Sequence, residues 1–256
     1  MADLNLQELE QIDGVGSVFH RPSMTSTSDI ARERLLSNPQ IALPMLTICD
    51  QQTAGRGQPG KSWLSDGQSL TFTLSIAASE IPEPNRSWLS LIAGVSVCES
   101  LDALDVTGSK LKWPNDVLID RKKVCGILVE KISASNGQCF LIGIGINVNQ
   151  TPEEIEALKN SDAKFPPGSL RGQGSEPIDV HALLKTVVER LHRNVMSESN
   201  WPESYQARMD FIGEQIEFVP PGGETITGVL AGVDPCGRIC FEVEGKRLAF
   251  ASGRWL

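Results

Sequence analysis

Between Lys110 and Val148 the chain passes through four β-type runs with little but turns between them. Lys110 to Trp113 leads into Pro114-Asn115-Asp116, and Val117 to Ile119 into a basic turn. Val124 to Ile132 leads into Asn136-Gly137, and Phe140 to Val148 closes the series. Turns this short predict an antiparallel meander. Upstream, Leu46 to Cys49 is a short apolar strand candidate, and Ser69 to Ile76 alternates strictly polar with apolar, the period of a strand.

Helical periods frame these strands. Trp88, Leu89, Leu91, Ile92, Val95, Cys98, Leu101 and Leu104 recur at helical spacing and crowd one side, as a helix packed on a sheet requires. Ser26-Thr27-Ser28-Asp29 offers cap oxygens before a helical stretch from Ile30 to Leu36, which Asn38-Pro39 stops. Ile178 to Val195 is again helical in period. Residues 150 to 177, rich in Pro, Gly, Ser and charge, read as a long mobile loop. From Gly213 to Leu256, short β runs are broken at Pro220-Pro221-Gly222-Gly223, Asp234-Pro235-Cys236-Gly237 and Glu244-Gly245-Lys246, which predicts a small barrel. The class is α+β.

The 256 residues, 40% of them hydrophobic, suit one medium domain with or without a small appendage. Lys and Arg total 23 against 32 Asp and Glu, a net charge of −9 with no dense basic block, which excludes a general nucleic-acid footprint. Met1 to Glu10 is acidic and amphipathic, unlike a signal peptide, and no apolar run approaches membrane-spanning length, so a cytoplasmic location is expected. Six cysteines are scattered, four of them inside apolar runs, and read as reduced core residues. Cys236 and Cys240 have no histidine at ligand spacing nearby, so zinc is not expected.

Three constellations carry chemistry. Gly55-Arg56-Gly57-Gln58-Pro59-Gly60-Lys61-Ser62 has the spacing of a phosphate-binding P-loop, but a P-loop needs a helix after its lysine. Here Trp63 to Gly67 leads into the alternating strand, so the P-loop reading is set aside. Lys112-Trp113-Pro114-Asn115-Asp116 places a lysine at a strand end before a rigid turn. Such a lysine suits a phosphoryl or carboxylate oxygen, with Asp116 either orienting it or binding magnesium; the bland alternative is a hairpin with an exposed lysine. In Lys123-Val124-Cys125-Gly126-Ile127-Leu128 and Gly143-Ile144-Gly145-Ile146-Asn147-Val148-Asn149, glycines interrupt apolar strands. That costs stability unless a ligand or backbone must come close. Asn147 and Asn149 alternate onto one face.

Taken in order from Ser26 to Leu256, these segments resemble the biotin protein ligases. The ordered set includes Ser26-Thr27, Gln52 with Gly55-Arg56-Gly57, Gly60 to Trp63, Lys112 to Asp116, Lys123 to Leu128, Gly143 to Asn149, Ser169-Leu170 and Ser252-Gly253-Arg254. The resemblance implies a mixed β-sheet with flanking helices, related to lipoate ligases and class II aminoacyl-tRNA synthetases, over residues 1–210. An SH3-like barrel follows over 211–256. It implies ATP-dependent activation of biotin to biotinyl-5′-AMP, with magnesium, and transfer to a lysine of a biotin carboxyl carrier protein. No DNA or membrane partner is implied, since a winged-helix DNA-binding domain has no room, and a homodimer is compatible with the pattern.

It also implies roles. Arg56 and Lys112 are the catalytic cations. Biotin contacts fall to Ser26, Thr27, Ser28, Gln52, Arg56, Gly57, Gln58 and Lys112, with an apolar pocket at Gly126 and Gly145. Arg56, Gln58, Lys61, Trp63, Asn115, Lys123 and Asn147 face ATP or the adenylate, residues 150–177 close over adenine, and Asp116 is the magnesium candidate. Two positions depart from the family's usual pattern: Ser28 stands where Asn is usual, and Gln58 where many members have a second arginine. Lipoate ligases resemble one another in a Gly-Gly-Gly segment and a Lys-x-x-Gly-Asn-Ala motif, which the run from Lys123 to Leu128 does not match. A non-catalytic biotin sensor is the other alternative, and the presence of both Arg56 and Lys112 speaks against it.

Overall fold

A computed structural model describes residues 6–58, 60–65, 67–134, 137–158, 165–173 and 176–256. From the N-terminus the elements are α1 (Leu6–Leu9), β1 (Ser17–Met24), α2 (Thr27–Ser37), β2 (Met45–Gln52), β3 (Gly55–Arg56), β4 (Ser62–Trp63), β5 (Ser69–Ala77) and α3 (Leu89–Ala103). There follow β6 (Ser109–Lys112), β7 (Asp116–Ile119), β8 (Lys122–Ala134), β9 (Gly137–Asn147), α4 (Pro152–Ala157), α5 (Val180–Met196) and α6 (Trp201–Arg208). The chain ends in β10 (Gln215–Val219), β11 (Ile226–Val233), β12 (Ile239–Val243), β13 (Lys246–Phe250) and β14 (Arg254–Trp255).

The expected meander forms one half of a seven-stranded sheet of order β1-β2-β5-β9-β8-β7-β6. Only β1 and β2 are parallel, so the sheet is mixed. Helices cover both faces. On one side α3 and α5 pack over Leu46, Leu70, Phe72, Ile142 and Ile144. On the other, α2 contributes Ala31 and Leu35 to a smaller cluster with Met45, Ile132 and Leu141. Neighbours such as Leu141 and Ile142 fall in different clusters because successive side chains of a strand point to opposite faces.

β5 departs from the usual meaning of its alternation. Its polar set, Ser69, Thr71, Thr73 and Ser75, is as buried as its apolar set. The polar face lies under the α2 side of the sheet, and Thr73 is bonded to Thr27 and Ser28 there. α5 follows the sequence pattern closely. Asp179 caps it by accepting from His181 and Ala182 N–H, and its buried stripe is Leu183, Leu184, Val187, Val188, Leu191 and Val195. At about 2 kcal/mol for each buried aliphatic side chain, that stripe outweighs the helix's weak intrinsic propensity.

Three expectations change. The 150–177 segment is not loop throughout. Thr151 and Glu154 form a reciprocal capping box on α4, Pro152 starts the helix, and Ser169 and Leu170 are buried; residues 159–164 and 174–175 lie outside the described set. Six residues are too few for a helical period to show. Ser26 stands at the N-cap of α2, but its hydroxyl makes no cap bond. α6 was not read from sequence, because only Trp201 and Tyr205 of its eight residues are buried. Of the turn and loop residues named above, Pro59 and Asn136 lie outside the described set.

The C-terminal strands form a five-stranded antiparallel sheet of order β13-β12-β11-β10-β14, an SH3-like barrel left open between β13 and β14. The Glu244-Gly245 turn joins β12 to β13 with both residues at positive φ, +49° and +74°, which a two-residue hairpin of this hand demands. Two tryptophans fasten the barrel to the large sheet. Trp113 Nε1 donates to Gly237 O at 2.9 Å, and Trp255 Nε1 donates to Trp113 O at 3.1 Å. Among the described residues, no helix is long and apolar enough to cross a membrane.

Candidate functional site

The glycines of β8 and β9 mark the floor of a cavity of about 890 Å³. Every residue named from the sequence as catalytic, biotin-contacting, adenylate-contacting or metal-binding lines it. Its contents divide into a polar corner, a glycine shelf and a cationic corner.

The polar corner is built where α2 starts above β2 and β5. Thr27 N–H and Oγ1 both donate to Gln52 Oε1, at 2.8 and 3.2 Å, and Thr73 Oγ1 donates to Thr27 Oγ1 at 2.9 Å. Ser28 Oγ lies 3.0 Å from Thr73 Oγ1. Ser26, Thr27, Ser28 and Gln52 are all buried, and the Thr27 and Ser28 hydroxyls and the Gln52 carbonyl oxygen are held by one another and by Thr73. Gly143 makes this possible: a Cβ there would stand 2.8 Å from Ser28 Oγ. The N-terminus of α2 adds its positive dipole end.

The shelf is Gly126 and Gly145, paired across β8 and β9. The sequence places an apolar pocket at these two glycines, and in the structure they line the cavity with the indole of Trp63 packed against both. A Cβ on Gly145 would lie 2.4 Å from Trp63 Cε2, and one on Gly126 3.1 Å from Cζ3. Trp63 comes from the β3–β4 hairpin, paired with Gly55. Its Nε1 is buried without a hydrogen-bond partner. Lys61 is followed by β4 (Ser62–Trp63), where a P-loop would begin a helix.

Beyond the shelf, β7 places Asp116 opposite Gly126 and opposite Lys112 of β6. Asp116 Oδ2 meets Lys112 Nζ at 3.0 Å and Oδ1 meets Lys123 Nζ at 2.6 Å. Burial pushes the Asp116 carboxyl up, but Lys123 and Lys112 outweigh it and hold it below the usual carboxylate range. Lys112 is 8% exposed, so the exposed-hairpin alternative does not hold. Both Asp116 oxygens are taken by ammonium groups, and among the described residues no three His, Cys, Asp or Glu side chains cluster. Asp116 therefore does not fit the magnesium-ligand role; orienting lysine is the role its contacts match.

The loop residues meet the shelf from above. Gln58 Nε2 donates to Asn115 Oδ1 at 3.2 Å, and Asn115 Nδ2 donates to Ile127 O at 2.8 Å. Arg56 is tied down: Nη1 and Nη2 donate to Glu130 at 3.1 and 2.6 Å, and Nε lies 2.9 Å from Asp29 Oδ1. Arg32 shares Glu130 at 2.7 Å. Burial works against the Arg56 charge, and Glu130 and Asp29 more than restore it. Asn147 Nδ2 donates to Gly168 O at 2.9 Å inside the cavity wall. Asn149, its supposed partner, is instead bonded through both amide atoms to the backbone of Ile178.

The matches to known proteins follow this geometry. Residues 20–147 match the model of the biotin/lipoate A/B protein ligase family. The bifunctional ligase/repressor BirA of Bacillus subtilis is 30% identical over 94% of this chain and 74% of its own length. The chain belongs to the biotin protein ligases. The biotin--[acetyl-CoA-carboxylase] ligase of Mycobacterium tuberculosis is 28% identical to this ligase, over 95% of this chain and 91% of that one. A biotin protein ligase from Aquifex aeolicus, solved in complex with biotin and ATP, superposes with a TM-score of 0.76 at 28% identity, over 94% of this chain and 97% of that one.

The site of this ligase also contains residues that sequence reasoning missed. Asp29 and Glu130 hold Arg56, and Phe165 and Trp255 line the cavity beside Lys112. A carboxylate beside the Ser26 cap and another inside β8 carry no spacing signal. Burial pushes the Cys49 and Cys98 thiols up to about 11, which makes those two poor nucleophiles at neutral pH.

Proposed function

We propose that this enzyme joins biotin to ATP to give biotinyl-5′-AMP and then passes the biotinyl group to a lysine of a biotin carboxyl carrier protein. The observation that carries this reading is the pairing of a buried hydroxyl-amide corner with a corner of two lysines, one buried and one half-buried, across a glycine shelf. The first suits a small, neutral, hydrogen-bonding head group, and the second suits a carboxylate and a phosphoryl group that must be brought together.

In this reading Ser26, Thr27, Ser28 and Gln52 hold the ureido ring, and Trp63 over Gly126 and Gly145 forms the wall along the acyl chain. The biotin carboxylate attacks the α-phosphorus of ATP and pyrophosphate leaves. Lys112 neutralises the charge that gathers on the phosphoryl oxygens, with Lys123 and Lys61 as further cations. Gln58, Asn115 and Asn147 supply amides to the nucleotide side. Arg56 acts at the same loop; bound to Glu130 and Asp29, it draws the hairpin down on Gly57 and the shelf, and meeting a phosphoryl oxygen requires it to exchange one of those partners. Magnesium enters as the counter-ion of the ATP phosphates, as part of the substrate. A closed hairpin keeps water from the mixed anhydride until the carrier's amine attacks its acyl carbon and AMP departs. The catalytic unit is residues 1–210, the barrel 211–256, and the working compartment the cytoplasm.

Incubation with ATP, magnesium and either biotin or lipoate, followed by mass measurement of the acyl adenylate, tests the reading. Biotinyl-AMP with biotin and no lipoyl-AMP with lipoate is expected. Lipoyl-AMP alone points to a lipoate ligase, and no adenylate with either points to a sensor.

A further inference from the structure

We propose that Trp255 and Phe165 are positioning residues for Lys112: their ring faces fix the direction of its ammonium group without consuming its hydrogen bonds. The inference rests on the adenylation reading above.

Lys112 Nζ lies 5.1 Å from the centre of the Phe165 ring and 5.4 Å from that of Trp255. Both distances fall within the range of cation–π attraction. Neither ring is free to drift. Phe165 precedes a segment stitched to the start of β8, where Lys123 N–H donates to Pro166 O at 2.8 Å and Gly168 N–H donates to Lys123 O at 2.9 Å. Trp255 is held by its Nε1 bond to Trp113 O, and both rings pack against Phe211, at 5.3 and 5.6 Å between centroids.

An ammonium group has three N–H donors and no acceptor. Asp116 Oδ2 takes one of them. A second carboxylate would anchor the lysine more firmly but would compete with the substrate's oxygens for the remaining donors. An aromatic face attracts the charge electrostatically and claims no directional bond. Lys112 is thus confined from three sides, with donors left for a phosphoryl oxygen. The last strand of the barrel thereby reaches the chemistry, since Trp255 belongs to β14.

The test compares Trp255→Phe, Trp255→Leu and Phe250→Leu in biotin-dependent exchange of labelled pyrophosphate into ATP. Phe250 packs inside the barrel against Phe218 and Phe241 and does not line the cavity. Its variant loosens the barrel without touching Lys112. Expected results are a kcat within about threefold of wild type for Trp255→Phe and Phe250→Leu, and a loss of roughly tenfold for Trp255→Leu, with KM for biotin within about twofold throughout. Should Trp255→Leu not fold, Phe165→Leu carries the same expectation. Equal losses in Trp255→Leu and Phe250→Leu mean that only barrel docking matters, and overturn the proposal. Equal losses in Trp255→Leu and Trp255→Phe assign the effect to the indole N–H, and an unchanged Trp255→Leu shows that the ring does nothing; either overturns it as well. No exchange by the wild-type enzyme instead removes the adenylation reading, and the proposal with it.

Discussion

Replacing Asp116 by Asn keeps the shape of the turn between β6 and β7 and removes one charge. Two ammonium groups then face each other across a neutral amide, one of them 10% exposed at the side chain and the other 33%. Breaking a buried ion pair by deleting one partner costs about 3–5 kcal/mol. Lys123 is partly wetted and screened, so the lower end, about 3 kcal/mol, is the better figure here. For a chain of this size each kcal/mol shifts Tm by about 2–4 °C, so a fall of roughly 6–12 °C is expected in scanning calorimetry at pH 7. The pH dependence follows from the direction of the shift. Asp116 has its folded pKa below the unfolded value, so its contribution is fully present above about pH 4 and fades as pH falls through the folded value. The gap between wild type and Asp116→Asn should be widest near neutrality and close only in acid. A variant melting within about 2 °C of wild type at pH 7 would refute the reasoning, because the two lysines would then not need their carboxylate.

Gln58→Arg adds a permanent charge and a fork of donors at the loop, so biotinyl-AMP formed without carrier protein should escape about ten- to a hundredfold more slowly; equal escape rates show that Gln58 does not limit retention. Gly145→Val must expel the Trp63 indole from the shelf, so a red-shifted tryptophan emission and a raised KM for biotin are expected, with emission compared against Trp63→Phe; unchanged emission contradicts the packing. Asn85→Ala deletes two bonds to Val195 O and Ser197 O and one from Trp201 Nε1, at the meeting of α3, α5 and α6. At about 1 kcal/mol or more for each buried group left bare, urea unfolding should show a loss near 3 kcal/mol without change in KM.

The features legible in the sequence were those whose signal is local. The meander, α3 and α5 each repeat a pattern over ten or more residues, and their apolar positions are the ones that are buried. The site residues were legible because glycine and lysine in strands, and a serine-threonine run before a helix, are locally unfavourable choices that need a reason. What escaped is non-local. Glu130 reads as an ordinary polar residue of β8, and only the fold brings it to Arg56, 74 residues away in sequence. Trp255 and Phe165 read as stray aromatics until the barrel is docked. The packing of Trp63 on the shelf escaped for the same reason. Glycines announce that something comes close, but not whether it is a ligand or an indole from a hairpin 82 residues before Gly145.

A chain with a net charge of −9 has to admit ATP, and the placement of its cations resolves the conflict. Among the described residues, Arg56, Lys61, Lys112, Lys123 and Arg254 line the cavity against a single carboxylate, Asp116. Arg56 is balanced by Glu130 and Asp29, but Lys112 and Lys123 share one carboxylate, and a concave site with low-dielectric walls concentrates the field of that surplus on a nucleotide more strongly than the distributed negative charge outside. That same concentration would drive Lys112 and Lys123 apart and unfold the corner if nothing opposed it. Asp116 opposes it by charge, and the faces of Phe165 and Trp255 oppose it without adding another negative group. The corner keeps a positive surplus toward the substrate because part of its stabilisation comes from rings rather than from carboxylates.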